Sequence, residues 1–115
     1  MKVIIAGGRN FSNYNKLCQV CKHMLQNQTE IEIVSGTANG ADKLGEKYAK
    51  ENGYSIKYFP ANWDEHGKSA GYKRNAQMAE YADALIAFWD GKSNGTKHMI
   101  NLAKGLNLKV KVSYY

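Results

Sequence analysis

Two arginines, Arg9 and Arg74, stand among sixteen basic residues, the rest being lysines. A guanidinium fork donates two parallel hydrogen bonds to a phosphate or carboxylate, so these two positions are the first candidates for anion chemistry. Arg9 follows directly on Gly7-Gly8, and Arg74 lies early in a helical pattern. Two further glycine-bearing stretches run Ser35-Gly36-Thr37-Ala38-Asn39-Gly40-Ala41-Asp42 and Asp90-Gly91-Lys92-Ser93-Asn94-Gly95-Thr96. Glycine lets a backbone turn sharply and bring its N–H groups close to a ligand, and a helix beginning just afterwards adds its positive dipole end. Asn39-Gly40 and Gly95-Thr96 both precede helical patterns. A single such loop is a tight turn; three on one edge make a pocket. The candidate ligand-binding set is therefore Gly7, Gly8, Arg9, Ser35, Gly36, Asn39, Gly40, Asp42, Arg74, Asn75, Ser93, Gly95 and Thr96.

Named nucleotide motifs fail. No G-x-G-x-x-G follows the first strand, and the second strand ends in Ser35 where a dinucleotide fingerprint needs an acid. Gly-Lys-Ser occurs at 67–69 and 91–93, but Asn62 and Ile86 stand where a P-loop requires its first glycine. Asp42, Glu46, Asp64, Glu65 and Asp90 are candidate acids without a determining spacing, so no catalytic residue is assigned. Trp63, Phe88 and Trp89 either stack a base or pack the core and rim. His23, His66 and His98 lack metal-ligand spacing; His23 fits a helix surface, and His98 lies near enough to a helix start to face the pocket. No metal site and no cofactor is expected. Cys18 and Cys21 share an apolar helical side with Tyr14, Leu17, Met24 and Leu25, which reads as buried thiols with no second pair to complete a zinc site.

The elements that must position these residues alternate strictly. Strand patterns cover 3–8, 31–35, 55–59, 84–89 and 108–114; helical patterns cover 13–27, 41–52, 71–82 and 95–106. The last two helices pack inward through Ala76, Ala79 and Ala82, and through Met99, Leu102, Ala103 and Leu106. Alternation of this kind predicts a parallel sheet with right-handed crossovers and helices on both faces. The first and fourth strands are continuous apolar runs, as central strands are. The third and fifth alternate apolar residues with lysine, a guard against edge pairing. The order 3-2-1-4-5 follows, within a single three-layer α/β domain of the Rossmann-like class spanning residues 1–115. Ligands of such sheets bind at the carboxyl ends of the strands where the winding reverses, here between strands 1 and 4.

Length and composition fit this reading. The 115 residues are 43% hydrophobic and 23% charged, with one proline, leaving room for one domain with a genuine core. No stretch approaches the roughly 20 apolar residues of a membrane span. The first residues read as a strand rather than a signal peptide, so a cytoplasmic protein is expected. The net charge of +6 comes from lysines scattered beside acids, as in Glu46-Lys47 and Lys50-Glu51, the pattern of a solvated surface.

The motifs taken together resemble a known family. Gly7-Gly8-Arg9-x-Phe11, Ser35-Gly36-x-Ala38-x-Gly40-Ala41-Asp42 and Phe59-Pro60-Ala61-x-Trp63 come first. Gly67-Lys68-x-Ala70-Gly71-x-x-Arg74-Asn75-x-x-Met78, Asp83 to Trp89 and Ser93-x-Gly95-Thr96 follow, in order along nearly the whole chain. This string resembles the YspA-like branch of the SLOG superfamily, Rossmann-like proteins of bacteria and phages related to the DNA-processing protein Smf and to the Lonely Guy phosphoribohydrolases. There are departures. Thr37 and Asn39 replace a glycine and an arginine common in the second loop, and Tyr72 replaces a frequent proline. Of the Lonely Guy motif only Gly95-Thr96 survives, followed by Lys97 and His98, with no glutamate in that helix.

The resemblance implies binding of a nucleotide or nucleotide-derived signal, as a sensor or a sequestering module. The alternatives are a hydrolase cleaving an N-glycosidic or phosphoester bond, and a nucleic-acid-binding protein, which ranks below a small nucleotide ligand. It also implies a homo-oligomer, in keeping with the alanine face of helix 71–82 and with Tyr114-Tyr115.

Overall fold

A computed structural model describes residues 1–115, the side chain of Lys68 excepted. Five strands form one sheet: β1 (Lys2–Gly7), β2 (Glu32–Ser35), β3 (Ser55–Tyr58), β4 (Ala84–Trp89) and β5 (Lys109–Tyr114). Their order is β3-β2-β1-β4-β5, and every neighbouring pair is parallel. Both the topology and the Rossmann-like α/β class expected from the sequence are observed.

The strand patterns explain the order physically. Val3 to Ala6 and Ala84 to Phe88 are buried, as they must be on central strands covered from both sides. In β3 and β5 the lysines Lys57, Lys109 and Lys111 are exposed. Because successive strand residues point to opposite faces, β1 feeds two cores. Val3 and Ile5 join Ile33, Ile86 and Phe88 against α1 (Tyr14–Leu25) and α2 (Ala41–Asn52). Ile4 and Ala6 join Val34, Leu85 and Ala87 against α4 (Ala70–Tyr81) and α5 (Asn94–Gly105).

Several details differ from the sequence expectation. The connection after β3 holds a fifth helix, α3 (Trp63–His66), and a 3-10 turn at Gly67–Ser69. Asn62 caps α3, accepting from the Glu65 N–H at 3.1 Å while its own amide donates to the Glu65 carboxylate at 2.9 Å. The first bond is the usual N-cap contact; the second ties the two side chains together. Leu106, expected inward, is half exposed: α5 ends at Gly105, and Leu106 is the residue that follows its last turn. Met24, the penultimate residue of α1, is exposed, whereas Leu25 beside it is buried. Ala76 is only half-buried, whereas Ala79 and Ala82 are core. Cys21 is buried, which pushes its thiol up to about 12, and Cys18 is half-buried; both are free. Among the described residues no helix is long and apolar enough to cross a membrane.

Candidate functional site

At the carboxyl ends of β1 and β4 the chain leaves a cavity of about 460 Å³. That size suits a small-molecule site. The β1–α1 loop (Gly7 to Asn10), Asp42, Arg74 and Asn75 of α4, and Ser93, Gly95 and Thr96 at the start of α5 line it. Ala6, Met78 and Met99, all buried, supply an apolar wall. A second cavity of about 620 Å³ lies alongside, bordered by Gly36, Thr37, Asn39, Pro60 and Ala61. The two share Arg9, Ala38, Trp63 and Arg74.

Loop contacts fix this geometry. Gly8 donates its N–H to the Phe88 carbonyl at 3.0 Å, while its own carbonyl accepts from Phe11 and Ala41. Its amide is therefore occupied by the fold, and a Cβ there would strike the Tyr115 hydroxyl. Gly40 has φ +77°, a backbone conformation that favours glycine, and a Cβ would sit 2.2 Å from the Gly8 carbonyl. The β1–α1 and β2–α2 loops thus lock together through backbone contact alone.

The two guanidiniums differ. Arg74 is half-buried, donates from Nε to Asn75 Oδ1 at 3.0 Å and from its terminal nitrogen to the Gly36 carbonyl. Burial lowers its pKa, an effect that the charge of Asp42 opposes. Arg9 is exposed and has no hydrogen-bond or ion-pair partner among the described residues. Asp42 is 4% exposed, and its Oδ2 accepts from the Ala38 N–H at 3.2 Å. Burial pushes its carboxyl up to about 6, against the pull of that hydrogen bond and of Arg74 and Arg9. Glu46, behind it, adds to the push.

Asn75 is buried and joins α4 to α5: its amide donates to the Gly95 carbonyl at 3.3 Å and lies 3.2 Å from His98 Nδ1. Ser93, the residue before α5, makes no side-chain cap, leaving the helix start facing the cavity. Asp90 fixes the loop before it by accepting from the Lys92 and Ser93 N–H groups at 2.8 Å, bonds that hold its carboxyl below the usual range. Among the described residues no group of three His, Cys, Asp or Glu could hold a metal ion.

Of the residues expected at the site, Gly7, Gly8, Arg9, Asp42, Arg74, Asn75, Ser93, Gly95 and Thr96 line the first cavity, and Gly36 and Asn39 the second. Ser35 and Gly40 line neither. Ser35 is buried and donates to Glu46 Oε2 at 2.6 Å, so its hydroxyl serves the interior. Gly40 serves the loop contact described above. Trp63 borders both cavities and is half exposed, whereas Phe88 is core, stacked on Phe11 at 4.7 Å. Trp89 donates from its indole to the Ser93 carbonyl, and Asp64 and Glu65 lie exposed on α3, off the cavity lining. His98 supports Asn75 and meets Tyr72 edge-on, and is not a lining residue. Burial lowers its pKa. Asn10, Ala38, Tyr72, Met78 and Met99 line the cavity without having been singled out. The methionines carry only a core signal, helical spacing on an apolar face; Asn10 and Ala38 sit beside glycines already chosen.

Comparison with known proteins agrees with the fold. Residues 1–66 match the family model described as the YspA, cpYpsA-related SLOG family. The chain is 29% identical over 116 residues to Gene 61 protein of Mycobacterium phage D29, covering 95% of this chain and 93% of that protein. It is also similar in fold to the X-ray structure of TM1055, a structural-genomics target, with a TM-score of 0.68 and 20% identity over 95% of this chain and 71% of that one. The family match spans more than half of the chain, and the chain belongs to that SLOG family.

Proposed function

We propose, from this membership, that the chain binds the phosphate of a nucleotide-derived small molecule in the cleft between β1 and β4. SLOG membership relates the chain to nucleotide chemistry. One observation carries the finer reading: Arg9, with no protein partner among the described residues, faces the same cavity as the Arg74 guanidinium and the start of α5, which Ser93 does not cap with its side chain. Positive groups left without partners cost little in water but become strong donors once an anion excludes it. Phosphate placed there would accept from the two guanidiniums and from the first N–H groups of α5. The Gly8 amide contributes nothing to this, since Phe88 holds it.

A charged hydrogen bond contributes about 1.5–3 kcal/mol, so Arg9→Ala should weaken nucleotide binding by roughly ten- to a hundredfold. Calorimetry with a panel of nucleoside monophosphates on wild type and Arg9→Ala tests this. Equal affinities for both proteins, or no binding by either, would reject the reading.

A second reading, hydrolysis, rests on Asp42. A buried carboxyl pushed up to about 6 in a cleft is the kind of group that exchanges protons near neutrality. It is not the Lonely Guy arrangement, because Lys97 and His98 follow Gly95-Thr96 and α5 carries no glutamate. Release of free base or phosphate during prolonged incubation, lost in Asp42→Asn, would favour hydrolysis over binding alone.

A further inference from the structure

We infer, resting on the phosphate reading above, that Tyr115 is a positioning residue for the cleft: its hydroxyl reaches past the end of β4 and holds the β1–α1 loop in the form that presents Arg9. Arg9 is exposed and has no partner among the described residues, so its place is set by its neighbours. Tyr115 meets three of them. Its hydroxyl donates to Asn10 Oδ1 at 2.7 Å and occupies the space where a Gly8 side chain would stand. Its ring lies 4.9 Å from that of Phe11, which stacks on Phe88 at 4.7 Å.

Gly8 shows that the loop is shaped around this tyrosine. The glycines with positive φ are Gly7, Gly40, Gly53, Gly67 and Gly91, so the backbone at Gly8 does not call for glycine. What excludes a side chain there is the Tyr115 hydroxyl. The tyrosine is anchored in turn: its N–H donates to the Trp89 carbonyl at 3.1 Å, and Lys16 of α1 donates to the Tyr114 carbonyl. Burial and the charge of Asp90 raise the phenol's pKa, which keeps the hydroxyl a donor at neutral pH. At 41% exposed, Tyr115 is not a core residue, and its reach is toward the cleft. A loop fixed before the ligand arrives spares binding the cost of ordering it.

The test is a double-mutant cycle on AMP affinity: wild type, Tyr115→Phe, Arg9→Ala and the double variant, followed by ¹⁵N amide shifts so that weak binding stays measurable. Tyr115→Phe keeps the ring and removes the hydroxyl. It should weaken AMP binding about three- to tenfold when Arg9 is present, the range one neutral hydrogen bond covers. In the Arg9→Ala background the same change should cost less than about twofold, because the tyrosine acts through the arginine. A merely structural tyrosine would lower affinity by the same factor in both backgrounds. That result, or unchanged affinity in Tyr115→Phe, would overturn the inference and leave the phosphate reading standing. Arg9→Ala binding AMP as tightly as wild type, or no binding by any of the four, would reject the phosphate reading and this inference with it.

Discussion

At the amino-terminal edge of the sheet polar groups bond to one another, while at the carboxyl edge around β1 and β4 several face a cavity instead. Lys2 and Asp83 exchange bonds at the first edge, the Lys2 N–H to the Asp83 carboxylate and the Asp83 N–H to the Lys2 carbonyl, both at 2.8 Å. Lys109 donates to the Asp83 carbonyl, and the terminal amine of Met1 donates to the Thr29 and Glu30 carbonyls. Tyr81 donates to Glu32. At the other edge Arg9 has no partner among the described residues, and α5 begins without a side-chain cap. The same sheet thus closes one end on itself and keeps donors free at the other. Free donors gathered in a concave place are what a ligand can use and what the fold does not need.

The comparison can be broken first where the open edge depends on backbone contact. Gly40→Ala would force a Cβ to within 2.2 Å of the Gly8 carbonyl at a left-handed φ. Strain and overpacking each cost about 1–3 kcal/mol, so a loss of about 2–6 kcal/mol is expected in urea unfolding. A variant as stable as wild type would mean the two loops are not locked together.

Asp42 gives the next effect, and its sign is fixed by its environment. Its folded pKa, raised from 3.8 to about 6, means the folded state binds the proton more tightly than the unfolded chain. This contribution is therefore complete below pH 4 and is lost as the pH rises through 6, by as much as about 3 kcal/mol. Urea midpoints between pH 4 and 7 should show the decline in wild type, and Asp42→Asn should flatten it. A parallel slope in both proteins would place the titration elsewhere.

The two arginines sharpen the contrast between ligand and fold. Arg9→Ala should leave stability within about 0.5 kcal/mol of wild type while lowering nucleotide affinity. Arg74→Ala should lower both, because its guanidinium also holds the Gly36 carbonyl and lies beside Asp42. Sequence position alone suggests a purely ligand-facing Arg74; the contact with Gly36 corrects that. Smallest is Asp83→Ala at the closed edge, which should cost about 1 kcal/mol of stability and leave affinity unchanged. A change in nucleotide binding there would mean the two edges are not independent.

Much of this was legible in the residues. Lys57 between Ile56 and Tyr58 in β3 and lysine on alternate positions of β5 mark them as edges, and the apolar runs of β1 and β4 mark them as central, which sets the topology and hence the cleft. The glycine loops follow from strand ends, as do Arg9 and Gly95-Thr96. What stayed hidden depends on distance across the fold. Ser35 and Glu46 are eleven residues apart and meet only because β2 packs on α2, so Ser35 read as a ligand residue. Helix α3 was signalled by Asn62 and Glu65 at capping-box spacing, but its four residues carry no periodicity to notice. Trp63 and Phe88 look alike in sequence; only the packing of Phe88 on Phe11 separates core from cleft.

The central claim is that the carboxyl edge at β1 and β4 is the binding end. Amide chemical-shift mapping of ¹⁵N-labelled protein during titration with AMP, at low and at physiological salt, tests it most directly. The account predicts shifts concentrated at Arg9, Asn10 and Asn94 to Thr96, with Lys2, Asp83 and Lys109 unmoved. Shifts spread over the exposed lysines and abolished by salt would contradict it, leaving only a positively charged surface.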